Sequence, residues 1–318
     1  MSSHFLLLCT GSPLAERVLH HTIAFARLFA ARVTLFCALE YPQPGTLAEA
    51  FDWRLRKAEA ETYLDSLAVR LQAAGIATAT VKIAGQGASS LSNYLHTHPV
   101  DLVILSNENE GGSAGVRLLF AGDWPTILPH KRISTLLVCA DLPKATNTSM
   151  PPDRRLFVPY DKLSRAADGL PFVATVACVD GMRLLLLRVL CQPQAPPLAT
   201  PFPQDKASVK QQKARNYAAL VEGFAQSAAQ APETVALHLL RAAEIATSLH
   251  DLAEAEEVNL LILHVQCLAA NSPWPHDEAI INLIAYGTTP LLIVQARFPT
   301  WTPTLVVDAA PIAAASSR

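Results

Sequence analysis

Phe5-Leu-Leu-Leu-Cys-Thr-Gly-Ser-Pro-Leu-Ala-Glu-Arg-Val-Leu19 is the stretch whose reading decides the fold. It joins an apolar run to a tight turn and then to the start of a helix. Phe5 to Cys9 has the length and unbroken hydrophobicity of a strand buried on both faces. Thr10-Gly11-Ser12-Pro13 breaks it: Gly11 admits a positive φ, Ser12 can cap a helix, and Pro13 suits its first turn. Leu14, Val18, Leu19, Ile23, Ala26 and Phe29 then recur at helical spacing, and Val33-Thr-Leu-Phe-Cys-Ala-Leu39 reads as a second buried strand. A strand, a helix and a strand in this order make a right-handed crossover, so a parallel sheet is expected.

The unit returns in the second half of the chain. Leu156 to Tyr160 is a strand, Asp161-Lys-Leu-Ser164 a turn, Arg165 to Val179 a helix, and Leu184 to Leu190 the next strand. Thr10 falls on Asp161 and Val33 on Leu184 with one constant offset, so the repeat needs no gap.

Between the repeats, the first copy continues with a helix over Leu47 to Ala74 capped by Gly75 and a strand over Ala77 to Ile83. A short helix from Ser89/Ser90 to His98, a strand over Asp101 to Leu105, a helix over Gly122 to His130 and a strand over Ser134 to Cys139 follow. The second copy gives a helix over Asp205 to Gln230, a strand over Thr234 to Leu240 and a helix over Ala242 to Glu257. It closes with a strand over Asn259 to Leu263, a helix over Asp277 to Tyr286 and a strand over Pro290 to Val294. The expectation is an α/β protein of two tandem Rossmann-like domains, each a five-stranded parallel sheet flanked by helices, over residues 1–142 and 154–297. Residues 143–153 form the linker, and 298–318 a tail in which Thr304 to Asp308 is an alternative edge strand.

Composition narrows the function. The chain has 318 residues, 51% hydrophobic and only 16% charged, which excludes a disordered chain and leaves room for two cores. A net charge of −2 offers no footprint for nucleic acid. No run approaches the roughly 18 apolar residues of a membrane span. Met1-Ser-Ser-His4 lacks a basic leader, so a cytoplasmic protein is expected. The six cysteines have no CxxC spacing and read as reduced thiols. His20-His21 on one helix point apart, His96 and His98 stand near a helix end, and His264 with Cys267 lacks further ligands, so no metal site is expected. Neither a Gly-x-Ser-x-Gly elbow nor a phosphate-loop lysine motif occurs, so no catalytic residue is assigned.

The opening strand with Thr-Gly-Ser-Pro-Leu-Ala-Glu, the Val158-Pro-Tyr-Asp161 strand end, Gly85 with its short helix, and Asp101-Leu-Val-Ile-Leu105 resemble the universal stress protein family in its tandem form. The resemblance covers roughly residues 5–140 and 155–296 and implies a stress-response regulatory or ligand-sensing protein without turnover. Members that bind ATP carry Gly-x2-Gly-x9-Gly-Ser/Thr after the fourth strand, where backbone N–H groups and a helix N-terminus meet phosphate. The matching positions here are Asn109-x2-Gly112-x9-Gly122-Asp123, so two glycines stand at the family spacing while Asp123 puts a carboxylate where phosphate would lie. The family's strand-end Asp is Thr10 in the first copy and Asp161 in the second, and the second copy's loop from His264 to His276 has no glycine.

The resemblance thus implies a degenerate nucleotide site of Thr10, Gly11, Ser12, Ala38, Asn109, Gly112, Gly122 and Asp123, with Asp161 in the second copy. Its cofactor, if one is held, is ATP with Mg. An ATP-binding protein and a slow nucleotide hydrolase using Asp161 or Asp123 are the alternatives. Relatives pair through their fifth strands, which implies that Ser134 to Cys139 and Pro290 to Val294 join as an intramolecular pseudo-dimer. A homodimer and an unidentified protein partner are further expectations, with neither nucleic acid nor membrane as partner.

Overall fold

The computed structural model describes residues 3–9, 15–39, 47–84, 87–107, 133–139, 155–160, 172–173, 176, 183–191, 235–242, 245–264 and 289–294. The first half provides β1 (His4–Leu8), α1 (Ala15–Leu28), β2 (Arg32–Leu39), α2 (Leu47–Ala73), β3 (Thr78–Ala84), α3 (Gly87–Thr97), β4 (Leu102–Asn107) and β5 (Ser134–Cys139). The second provides β6 (Arg155–Tyr160), β7 (Arg183–Cys191), β8 (Val235–Ala242), α4 (Ile245–Ala255), β9 (Leu260–His264) and β10 (Leu291–Val294).

All ten strands join one sheet in the order β3-β2-β1-β4-β5-β10-β9-β6-β7-β8. Within each half the strands run parallel, as the βαβ pattern requires, and the order reads identically from either outer edge. The registers repeat too: His4 pairs with Arg32 at the start of β1 and β2, and Arg155 with Arg183 at the start of β6 and β7. The halves meet at β5 and β10, which pair antiparallel through Leu137–Leu291, Leu136–Leu292 and Thr135–Ile293.

Where both faces of the sheet are covered its strands are buried throughout, β1 from His4 to Leu8 and β10 from Leu291 to Val294. Alternation along each strand then sorts the core into two layers. One holds Phe5, Leu7, Val33 and Leu35 under Val18, Leu19 and Phe29, with Leu64, Leu67 and Leu71 of α2. It runs unbroken across the seam to Leu292, Leu260, Leu156 and Phe172. The other packs Leu91 and Leu95 of α3 and Leu249 and Ala253 of α4 against Leu6, Val103, Ile293, Leu261 and Phe157. Phe29 and Phe172 stack with centroids 5.7 Å apart and planes 6° from parallel, so an aromatic pair ties the two halves above the sheet.

Three helix ends share one closure. After α2, Gly75 at φ 80° lets Ile76 N–H reach the Leu71 carbonyl at 3.0 Å and its own N–H reach Gln72 O at 2.9 Å. The same crossed pair follows α1, at Ala30 (φ 45°), and α4, at Glu257 (φ 48°). A side chain in this left-handed region costs about 1–2 kcal/mol, which these two sites bear because the next residue, Ala31 or Val258, is buried.

Strand and helix bounds follow the sequence reading closely, with two corrections. The helix expected from Ala242 begins at Ile245, because Ala242 still pairs with Cys191 in β8. The short helix expected from Ser89/Ser90 begins at Gly87. The helices expected over 122–130, 205–230 and 277–286, the linker and the tail lie outside the described residues, as does most of the helix expected over 165–179, in which residues 172, 173 and 176 are helical.

Candidate functional site

In each half the winding reverses once, between β1 and β4 and between β6 and β9. Connections leave such a pair of strands in opposite directions along the sheet, so a crevice opens beyond their carboxyl ends. The pairing shows where it begins. Rows shared by β1 and β4 end at Leu7–Ile104, although β4 continues to Asn107. On its other side β1 stays zipped to β2, since Cys9 N–H donates to Phe36 O at 2.8 Å. Rows shared by β6 and β9 likewise end at Phe157–Leu261, short of Tyr160 and His264. Because β5 and β10 are antiparallel, the carboxyl ends of β1 and β4 and those of β6 and β9 lie on opposite edges of the sheet.

Of the expected site residues, Ala38 is described. It sits near the carboxyl end of β2, pairs with Ile83, and is half-buried against the layer that holds Val81 and Ile83. Thr10, Gly11, Ser12, Asn109, Gly112, Gly122, Asp123 and Asp161 lie outside the described residues. Chain continuity still sets their entry points: Thr10 follows Cys9 at the end of β1, Asn109 comes just after Asn107 of β4, and Asp161 follows Tyr160 of β6.

The described part of the first crevice's rim is chemically quiet. Cys9 and Cys37 are buried free thiols. Burial pushes both thiol pKa values up; the neighbouring Cys37 adds to the rise at Cys9, whereas Lys82 opposes it at Cys37. Cys9 Sγ–H donates to Leu7 O at 3.6 Å. Such protonated thiols pack as small apolar groups rather than attack a substrate. Among the described residues, no cluster of three or more His, Cys, Asp or Glu could hold a metal. In the second half the corresponding row is polar by identity: Tyr160 pairs with Arg188 where register continuation sets Cys9 beside Cys37, and His264 ends β9.

The most developed polar cluster lies at the opposite, amino edge, and sequence reasoning missed it. His4 is only 4% exposed. Its Nδ1 stands 2.7 Å from the Pro99 carbonyl and its Nε2 2.8 Å from Thr34 Oγ1. A carbonyl can only accept, so Nδ1 carries the proton and Nε2 accepts from the threonine. His4 N–H donates to Asp101 Oδ2 at 2.8 Å, and Asp101 N–H returns a bond to His4 O at 2.9 Å. Tyr94 stacks on His98 beside it, with centroids 4.1 Å apart. The available signal was positional: His4 and Asp101 each immediately precede an apolar run. Both ring nitrogens and the N–H of His4 are paired, and the cluster sits at the amino end of β1, away from the crevice, so its role is to bind β1, β2 and β4 together.

Residues 1–119 match the family model described as "Universal stress protein family". No curated protein matches the chain. A universal stress protein from Archaeoglobus fulgidus superimposes with a TM-score of 0.61 at 14% identity, covering 93% of this chain and 97% of its own. A putative universal stress protein from Pseudomonas aeruginosa UCBPP-PA14 gives 0.56 at 11% identity, with 92% of each chain covered. A functionally unknown protein from Pseudomonas aeruginosa PAO1 gives 0.55 at 10% identity, again with 92% of each covered. These likenesses establish the fold across both halves. The family model adds that residues 1–119 are similar to universal stress proteins in sequence as well.

Proposed function

We propose that the protein is a non-enzymatic, cytoplasmic stress-response regulator that senses a ligand or partner, with a nucleotide site that has lost its phosphate chemistry. The observation that carries this reading is the family match over 1–119 on a chain whose sequence has Thr10, Asn109 and Asp123 where ATP-binding members carry Asp, Gly and Ser/Thr. A carboxylate at Asp123 repels a triphosphate at close range, and the described rim supplies buried, protonated thiols in place of charged groups. The domains are taken as 1–142 and 154–297, and a homodimer or an unidentified protein partner completes the reading.

A second reading has its own support. Gly112 and Gly122 stand at the family spacing, α3 opens on the crevice edge without an acidic residue in its first turn, and Ala38 is small enough for close approach to the β2 backbone. If Mg masks Asp123, the first half would hold ATP through Ser12, Gly112 and Gly122.

Titration with ATP and Mg, by calorimetry and thermal shift together, decides between them. The first reading expects no saturable heat and an unmoved melting temperature. A site of micromolar affinity would instead add roughly 3–4 kcal/mol at millimolar ligand. If that gain vanished in Gly122→Val, the second reading would replace the first. Purified turnover lost in Asp161→Asn or Asp123→Asn would overturn the assignment as a non-enzyme.

A further inference from the structure

We propose that the first half carries an acid-sensitive latch: His4, clamped between the Pro99 carbonyl and the Thr34 hydroxyl, loosens the amino ends of β1, β2 and β4 when it takes up a second proton. The geometry sets the direction. With Nδ1–H committed to Pro99, the added proton must go to Nε2, which is accepting from Thr34 Oγ1 at 2.8 Å. Acceptor then becomes donor, and the hydroxyl must turn its own proton away inside a site where Thr34 is also 4% exposed. That bond is broken or reversed, and a buried cation is created.

The charges facing the ring come from three elements. From β2, the Arg32 guanidinium stands 3.3 Å from Nδ1; since both atoms carry hydrogens, the contact is a repulsive one for a cationic ring. From the end of α3, His98 adds a further unfavourable charge, while Asp101, before β4, favours the cation. Burial is the largest influence and holds the His4 pKa below its ordinary value of 6.5; the Pro99 bond and Asp101 oppose it, and Arg32 and His98 reinforce it. A depressed histidine binds its proton more readily in the unfolded state. The latch is therefore fully closed above pH 6.5 and weakens as pH falls from there through the lower folded-state value. The weakening is at most about tenfold in the opening equilibrium per pH unit, one proton's worth.

The molecule contains its own control. The second half repeats the backbone clasp at Arg155 and Asn259, and arginine does not titrate in this range. Because β1 and β4 carry the first crevice at their far ends, acid acts on the half that matches the family model.

The test is hydrogen exchange of the full chain, read by peptide mass spectrometry from about pH 7.5 to about pH 5.5 and normalised to intrinsic exchange rates. Protection should fall in peptides covering β1, β2 and β4 by up to about tenfold per pH unit, with no matching loss in β6 and β9. His4→Asn, which keeps a donor toward Pro99 without a titrating ring, should abolish the loss. Should that variant not fold, Arg32→Gln, on an exposed side chain, should shrink it by removing the facing cation. Equal loss in both halves, a wild-type profile in His4→Asn, or an undiminished loss in Arg32→Gln would each overturn the latch.

Discussion

The two halves begin their central strands with the same backbone clasp and fill it with different side chains. In the first, His4 N–H donates to Asp101 Oδ2 at 2.8 Å; in the second, Arg155 N–H donates to Asn259 Oδ1 at 2.8 Å. The return bonds, from Asp101 and Asn259 N–H to the opposing carbonyl, are both 2.9 Å. Beyond the backbone the halves diverge. His4 turns inward to Pro99 and Thr34, whereas Arg155 turns to the end of α4, donating to the Glu256 carbonyl at 2.8 Å and its carboxylate at 3.0 Å. There a cation meets the negative end of a helix, which is favourable at any working pH. Both halves keep what the sheet demands, a partner for the first N–H of a buried strand, and differ in the group that sits beside it. In one half a buried imidazole sits beside the clasp, in the other an ion pair.

The largest effect should come from cutting the tie between the halves. Phe29→Ala removes a buried ring stacked on Phe172 and should cost about 3–5 kcal/mol, measured by urea unfolding. If the halves unfold independently, the transition should also split in two; a single transition with unchanged cooperativity would mean that the β5–β10 seam suffices to couple them.

The clasps themselves come next. Asp101→Ala and Asn259→Ala each strand a strand-initiating N–H, at a cost of about 1–3 kcal/mol. The comparison is sharpened by pH: the Asp101 variant also removes an anion that favours protonated His4, so its deficit should widen below pH 6.5, whereas the Asn259 deficit should not. Parallel pH profiles for the two would break the distinction drawn between the halves.

The smallest effect should be a gain. Glu257→Gly relieves a side chain at φ 48° and should raise stability by about 1 kcal/mol, visible as a higher melting temperature. The reverse change in the first half, Gly75→Ala, meets no atom within 4 Å of the added Cβ, so its loss should reflect backbone strain alone. Unequal magnitudes would show that packing around the closure, rather than φ, sets the cost.

Much of this was legible in the residues because it is local. The apolar run from Phe5, the Gly11–Pro13 break and the helical spacing to Phe29 each act within a few residues, and Gly75 marked its helix end correctly. The constant offset between Thr10 and Asp161 carried the repeat into the second half, where β6 and β7 pair in the register of β1 and β2. The candidate site was legible as strand ends and not as a geometry. Ala38 lies near the carboxyl end of β2, and the quiet character of the described part of the rim depends on Cys9 and Cys37 being buried side by side across two strands. His4 went unread because nothing within its neighbourhood in sequence announces Thr34, Pro99 or Asp101 as partners.

By itself, then, the sequence determined the alternation of strand and helix and the parallel run within each half, both of which follow from short-range pattern and composition. Only the tertiary structure decided that β5 and β10, whose pairing the resemblance implied, run antiparallel and make one continuous sheet, that the crevices consequently face opposite edges, and that a histidine at the start of β1 is sealed from water. The reason is physical. Those features are set by which distant surfaces exclude water from one another, and burial of that kind is a property of the assembled chain rather than of any stretch of it.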